Sequence, residues 1–233
     1  MASRTAAASK RQHDLPARRA ELAQGGDDPV RETLQEAMLA AVGELGYRDA
    51  AVQQVLERSG GHRVQFWERF ASKEECFELA YEAGIDRLVA EVLTAALAED
   101  GWRRQLRAGL VALFGFAEAH PEVTRALLIE AEVAGGPALA KREETIDRLG
   151  EAIDSVREQV PVDERPPPLT GIFVAGGIAA YASETLASGD AADLWDGLPE
   201  LLRFAVDAYL GEAAAAEELA AARELVAARP ARA

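Results

Sequence analysis

The chain is short of the residues on which most enzymes and most disulfide-held proteins depend. It has one cysteine, Cys76, and three histidines, His13, His62 and His120, among 233 residues. A lone cysteine cannot close an intramolecular disulfide, and the first 16 residues hold no continuous apolar stretch of the kind a secretion signal needs, so a cytoplasmic setting is expected. The histidines fall in an N-terminal arm, a turn and a helix junction. There is no histidine pair at i, i+4, no nucleophile signature and no Gly-x-x-x-x-Gly-Lys-Ser/Thr run, so neither a triad, a zinc site nor a phosphate-cradling loop is indicated. No catalysis, metal or cofactor is expected. Long apolar runs are lacking too: the longest uncharged segment, 166–183, opens with three prolines and leaves 14 residues, 169–182, as its apolar part. As a helix these cover roughly 21 Å, short of the ~30 Å hydrocarbon core of a bilayer, and no membrane partner is expected.

What is abundant is alanine, leucine and glutamate, with few aromatic and β-branched residues, and apolar positions recur at helical spacing from Val30 almost to the end. The fold class is therefore all-α: a small N-terminal three-helix unit plus a larger helical bundle, about nine or ten helices in total. A net charge of −15 argues against a nucleic-acid partner, but its distribution qualifies that argument. Residues 1–75 carry 11 basic and 12 acidic side chains, whereas 76–233 carry 14 and 28. An acidic body held clear of DNA and an ordinary solubilising surface both fit this split.

Three segments follow from the pattern. Residues 1–28 mix Arg4, Lys10, Arg11, Arg18 and Arg19 with small polar residues and read as a flexible basic arm, either an ordinary terminus or a DNA-contacting one. Residues 29–75 hold three helices: one carrying Val30, Leu34, Met38, Ala41 and Leu45 up to Gly46, a short one with Val52, Val55 and Leu56, and, after Gly60-Gly61, a short one with Phe66, Trp67 and Phe70. Ser72-Lys73-Glu74-Glu75 then has capping-box spacing and opens a long helix to about residue 98. Further helices are expected at 102–119, 121–134, 137–160, 169–187, 192–210 and, more weakly, 212–229; residues 76–233 form the effector-binding and dimerisation unit.

Two short helices joined by a glycine turn and followed by a capped long helix suit a helix-turn-helix, whose second helix enters a major groove. Gly46 to Gly60 and Phe66-Trp67-Glu68-Arg69-Phe70-Ala71-Ser72-Lys73-Glu74-Glu75 resemble the N-terminal domain of the tetracycline-repressor (TetR) family over about residues 30–80. The resemblance implies a homodimeric, ligand-responsive regulator, in the usual case a repressor released from a near-palindromic double-stranded operator by a small molecule. It makes Lys73 and Trp67 phosphate contacts, places His62, Arg63 and Gln65 at base edges, with Gln53 also on the DNA side, and assigns Tyr47, Val52, Val55, Leu56, Phe66 and Phe70 to the small core. Four residues depart from the pattern: Ala51 where a hydroxyl caps the second helix, Gly61 for a buried valine, Val64 for a small residue, and Glu68 near the phosphates. A protein whose DNA binding is weakened or lost, acting as an interaction or ligand-binding module, remains the alternative.

In the body, 169–181 is apolar around its whole circumference and needs cover on all sides. Ile172, Gly176 and Ala180, with Leu198, Leu202 and Tyr209 of the following helix, are the expected dimer interface; a central helix of a monomer is the other reading. For an unknown small-molecule effector, Trp102, Phe114, Phe116, Phe173 and Tyr181 are candidate aromatic walls and Glu118, His120 and Glu130 candidate polar anchors, against the plainer reading of aromatic residues as core.

Overall fold

The computed structural model describes residues 28–229, all helix and connecting turn with no strand among them; the basic arm, Asp28 excepted, lies outside the described residues. Helix α1, Pro29–Leu45, starts where Asp28 accepts the Arg31 amide at 3.2 Å and proline occupies the first turn. It stops at Gly46, whose φ of +85° suits glycine. Helices α2, Val52–Ser59, and α3, Arg63–Arg69, both lack a side-chain cap at their first positions, Ala51 and His62. Each is closed instead by a glutamine one turn in: Gln54 Oε1 accepts the Ala51 amide at 3.0 Å, and Gln65 Oε1 accepts the His62 amide at 2.8 Å. Between them Gly60, at φ +65°, makes the left-handed turn.

Helix α4, Lys73–Leu97, begins with Ser72 Oγ accepting the Glu75 amide at 3.1 Å, as the capping-box spacing predicts. The return bond goes one residue further back than expected, from the Ala71 amide to the Glu75 carboxylate. At about 1.5 Å per residue α4 is a rod of roughly 37 Å. Its N-terminal half, through Cys76, Phe77, Ala80 and Tyr81, completes the core of α1–α3, so that core runs past position 75. Burial pushes the Cys76 thiol far above its ordinary range, and the cysteine is an inert core residue.

Helix α5, Trp102–Ala119, has the expected bounds. The helix expected at 121–134 is continuous but not uniform: α6, Pro121–Arg125, passes through a π-helical segment, Ala126–Glu130, into α7, Ala131–Ala134. Two carbonyls of the π segment are met by side chains, Leu127 by the Tyr81 hydroxyl and Leu128 by the Ser183 hydroxyl, both at 3.1 Å. Helix α8, Gly136–Asp154, ends in a 3₁₀ turn, Ser155–Gln159, and α9 spans Thr170–Ser188. These two approach closely: a Cβ on Gly150 would sit within 3 Å of the Ile172 backbone.

Helix α10, Leu194–Ala227, contains both of the last expected helices, broken at Gly211, where φ is +76°. Beyond the break the chain runs parallel to α5 in constant register. Arg103 donates to the Ala214 carbonyl at 3.3 Å, Arg107 pairs with Glu218, and Arg229 pairs with Glu118, each pair 111 residues apart. Ala222 closes the apolar side of this seam, and the Arg229 guanidinium lies 3.5 Å over the Trp195 ring.

Candidate DNA-binding surface and effector cavity

Helix α3 is held from beneath by Phe66 and Phe70, both wholly buried, their rings 5.2 Å apart. Its outer side presents His62, Arg63 and Val64, with Trp67 43% exposed and edge-on to Phe66 at 5.0 Å. The segment from 63 to 70 is thus helical, outward-facing and anchored, as a groove-reading element must be. Arg63 makes no ion pair among the described residues. Two other cations of this unit are paired. Arg58 pairs with Glu44, and Arg69 pairs with Asp28 at 2.8 Å, which holds the Asp28 carboxyl below the usual carboxylate range. Gln53 is exposed on α2 and donates to Glu57 at 2.8 Å.

Two residues behave differently from the sequence expectation. Lys73, expected on a phosphate, turns inward: Nζ donates to the Tyr47 and Ala50 carbonyls at 2.6 and 3.0 Å and lies 4.5 Å over the Tyr47 ring. The free carbonyls of the turn after α1 are within its reach, and an ammonium there closes the turn. Gln65, expected at a base edge, is half-buried and its carbonyl oxygen is committed to the His62 amide. Of the departures, Gly61 sits in a tight space: a Cβ there would meet Ser59 Oγ at 3.0 Å and Leu34 at 3.4 Å, so those side chains would have to give by a few tenths of an ångström.

The same turn is held from the body. The Tyr47 amide donates to Glu130, the last residue of the π segment, at 2.8 Å. A residue named in the sequence as a possible ligand anchor is instead a tie between the two units.

An apolar cavity of about 400 Å³ lies between α4, α5, α8 and α9. Only Trp102 of the candidate ligand residues reaches it, with its N–H donated to the Ile153 carbonyl at 2.9 Å. Phe114 is wholly buried against Trp195, and Tyr181 packs under Gly197 with its hydroxyl 3.3 Å from the Asp193 and Leu194 carbonyls. Glu118 is bound to Arg229 at 2.6 Å; His120 and Phe116 stack at 4.9 Å beside a smaller recess under α1. Phe173, 71% exposed, faces outward. The residues that line the cavity beside Trp102 are mostly aliphatic, such as Val92, Leu93, Leu106, Leu149 and Ile178, at ordinary helical spacing and without an aromatic signal in the sequence.

The expected dimer residues divide. Ala180 is exposed, Ile172 is 36% exposed and Gly176 half-buried, but Leu198 and Leu202 are wholly buried and Tyr209 is 4% exposed, its hydroxyl donating to Asp154 at 2.7 Å. These three belong to the subunit's own core because their stripe on α10 packs on α5, α8 and α9. The outer apolar face is carried by Phe173, Gly177 and Ala180 of α9 and by Phe204 of α10, 58% exposed.

Three N-terminal helices with an exposed second short helix, packed with the start of one long helix against further helices that enclose an apolar cavity open on one side, define a fold class shared with solved structures. The fold is that of the TetR-family proteins. The fatty acid degradation regulator FadR from Bacillus halodurans superposes with a TM-score of 0.61 at 16% identity, covering 73% of this chain and 96% of that one. A TetR family transcription regulator from Marinobacter aquaeolei VT8 gives 0.57 at 18% identity, covering 77% and 95%. TylP, a TetR regulator from Streptomyces fradiae, gives 0.55 at 20%, covering 85% and 97%. No protein-family model and no curated protein matches the sequence. No helix among the described residues is long and apolar enough to cross a membrane.

Proposed function

We propose that the protein is a homodimeric DNA-binding transcriptional regulator whose α3 enters the major groove and whose grip on a near-palindromic operator is released by a small molecule. One observation carries the reading: α3 presents His62, Arg63, Val64 and Trp67 outward, with Arg63 unpaired among the described residues, while Phe66 and Phe70 fix the helix from below. Arg63 is the residue suited to bidentate reading of guanine, and Trp67 offers an indole N–H to a phosphate. Lys73 acts from behind, fixing the Tyr47 turn that positions α2.

The effector would occupy the cavity between α4, α5, α8 and α9. Helix α4 walls this cavity with Val92, Leu93, Ala96 and Leu97 and, four turns earlier, packs Phe77 and Tyr81 into the head. A tilt of that rod moves α3 relative to its counterpart, and two recognition helices must stay about 34 Å apart to fit successive grooves. A coupling of about 1–3 kcal/mol, 5- to 150-fold in operator affinity, is the usual scale.

The test is binding to the DNA upstream of the protein's own gene, measured by anisotropy against salt. Specific binding by the wild type is expected, and Arg63→Ala should relax preference at one base pair at a cost of about 1–3 kcal/mol. Absence of any shift, with the fold intact, supports a second reading that one observation favours: Arg58, Arg69 and Lys73 are all spent internally, and Glu68 sits exposed on α3. That reading is a TetR-like protein that no longer binds DNA and serves as a ligand-binding or protein-interaction module.

A further inference from the structure

The walls of the cavity restrict what it can hold. No lysine, arginine, histidine, aspartate or glutamate lines it, and the only lining side chains with uncommitted polar atoms are Gln105 and Ser155. A charged group drawn inside would leave water without a counter-ion, whereas a hydrocarbon group gains from every apolar contact. The arginines at the start of α5 offer no remedy, because each already faces a carboxylate: Arg103 faces Glu217 at 3.0 Å, Arg104 faces Glu99 at 3.8 Å, and Arg107 faces Glu218 at 2.5 Å. They form no surplus of positive charge for an anionic head group.

The cavity is open on one side. Leu97 is 75% and Leu93 36% exposed on the α4 lip, and Ala152 and Ser155 are exposed on the α8 lip. Gln105 donates one amide hydrogen to the Glu99 carbonyl at 3.1 Å, which steadies the side chain and leaves its second hydrogen for a ligand oxygen.

Resting on the assignment of this cavity as the effector site, we infer that the effector is an uncharged, hydrocarbon-rich molecule bearing a single hydroxyl or carbonyl oxygen. Its apolar part lies among the leucines of α4, α5 and α8, and its oxygen is held at the mouth by Gln105 and Ser155. A cavity of about 400 Å³ falls within the usual range for small-molecule sites.

Three probes with the same dodecyl tail test this on the full chain: 1-dodecanol, dodecanoate and dodecyltrimethylammonium, titrated well above the carboxylate pKa of about 4.3 and followed by calorimetry and tryptophan fluorescence. Dodecanol should bind about tenfold or more tightly than either ion, and Ala152→Phe, on the exposed α8 lip, should weaken it about tenfold. Leu97→Trp should do the same from the α4 lip, so that a folding defect in one variant does not decide the matter. Dodecanoate binding as tightly as dodecanol, and blocked by the lip variants, overturns the neutral class and leaves the cavity as the effector site. Failure of all three probes to bind, or binding that neither lip variant disturbs, overturns the class and the cavity assignment together.

Discussion

Single residues decide how closely the helices meet, and two glycines separate that effect from intrinsic helix preference. Gly43 of α1 lies where a Cβ would overlap the Glu122 carbonyl at the start of α6, whereas a Cβ on Gly115 of α5 would have no atom within 4 Å. Gly43→Ala should therefore cost about 1–3 kcal/mol through overpacking, and Gly115→Ala should gain about 0.5–1 kcal/mol. Thermal melts of the two variants that move in the same direction would refute the close α1–α6 crossing. Asp28 caps α1 and binds Arg69, and that hydrogen bond, before any other influence, depresses its pKa. A depressed carboxylate stabilises the fold above its unfolded pKa and loses that contribution as pH falls through the lower folded value. Asp28→Asn keeps the cap and loses the pair, so its deficit should be under about 1 kcal/mol at neutral pH and vanish in acid; Asp28→Ala should lose about 1 kcal/mol more at neutral pH. Urea titrations at both pH values read the difference. At this scale the sequence showed that Lys73 and Gln65 stand near the head's surface but not what they bind, since both are taken by backbone groups that only the folded turns bring within reach.

Elements were more legible. Gly101 and His120 bracket α5, and Pro29, Gly46, Gly60 and Ser72 mark the ends of the head helices, because caps and breakers act within one turn of chain. The π segment was not legible: its carbonyls are satisfied by Tyr81 and Ser183 from distant helices, and no local pattern encodes that. The parallel run of 212–227 along α5 was likewise invisible in an alanine-rich stretch whose packing information is weak. Its firmest point is Glu218, 1% exposed, held bidentate by Arg107 at 2.5 and 2.9 Å. Glu218→Ala should cost about 3 kcal/mol, the low end for a broken buried pair because Arg107 keeps some contact with water. Arg107→Met combined with Glu218→Leu should recover most of that loss. If single and double variants melt alike, the ion pair is not what fastens the last helix to the body.

For the whole molecule, the proposed dimer requires one side of the α9–α10 pair to meet a second copy. Periodicity located an apolar helix and an apolar stripe, but α10 carries apolar residues on more than one side, and the choice between Leu198–Leu202–Tyr209 and Phe204 depends on how the rest of the body packs. The buried stripe is inside the subunit, so the proposed partner would meet exposed positions instead: Phe173, Gly177 and Ala180, stepping by four and three along α9, and Phe204 on α10. The small residues at 177 and 180 allow close approach, and the two phenylalanines supply area. Phe173→Glu and Phe204→Glu place a carboxylate where both copies must exclude water, and each should turn the protein monomeric in sedimentation experiments while leaving its helical content unchanged. Since Arg58, Arg69 and Lys73 are spent within the head, one head alone has few cations for phosphate, and operator binding should collapse in the monomer rather than weaken slightly. Phe173→Ala should retain dimers of reduced affinity. A protein that stays dimeric after both glutamate substitutions must associate through another surface, and the spacing of its recognition helices would then have to be worked out from that surface instead.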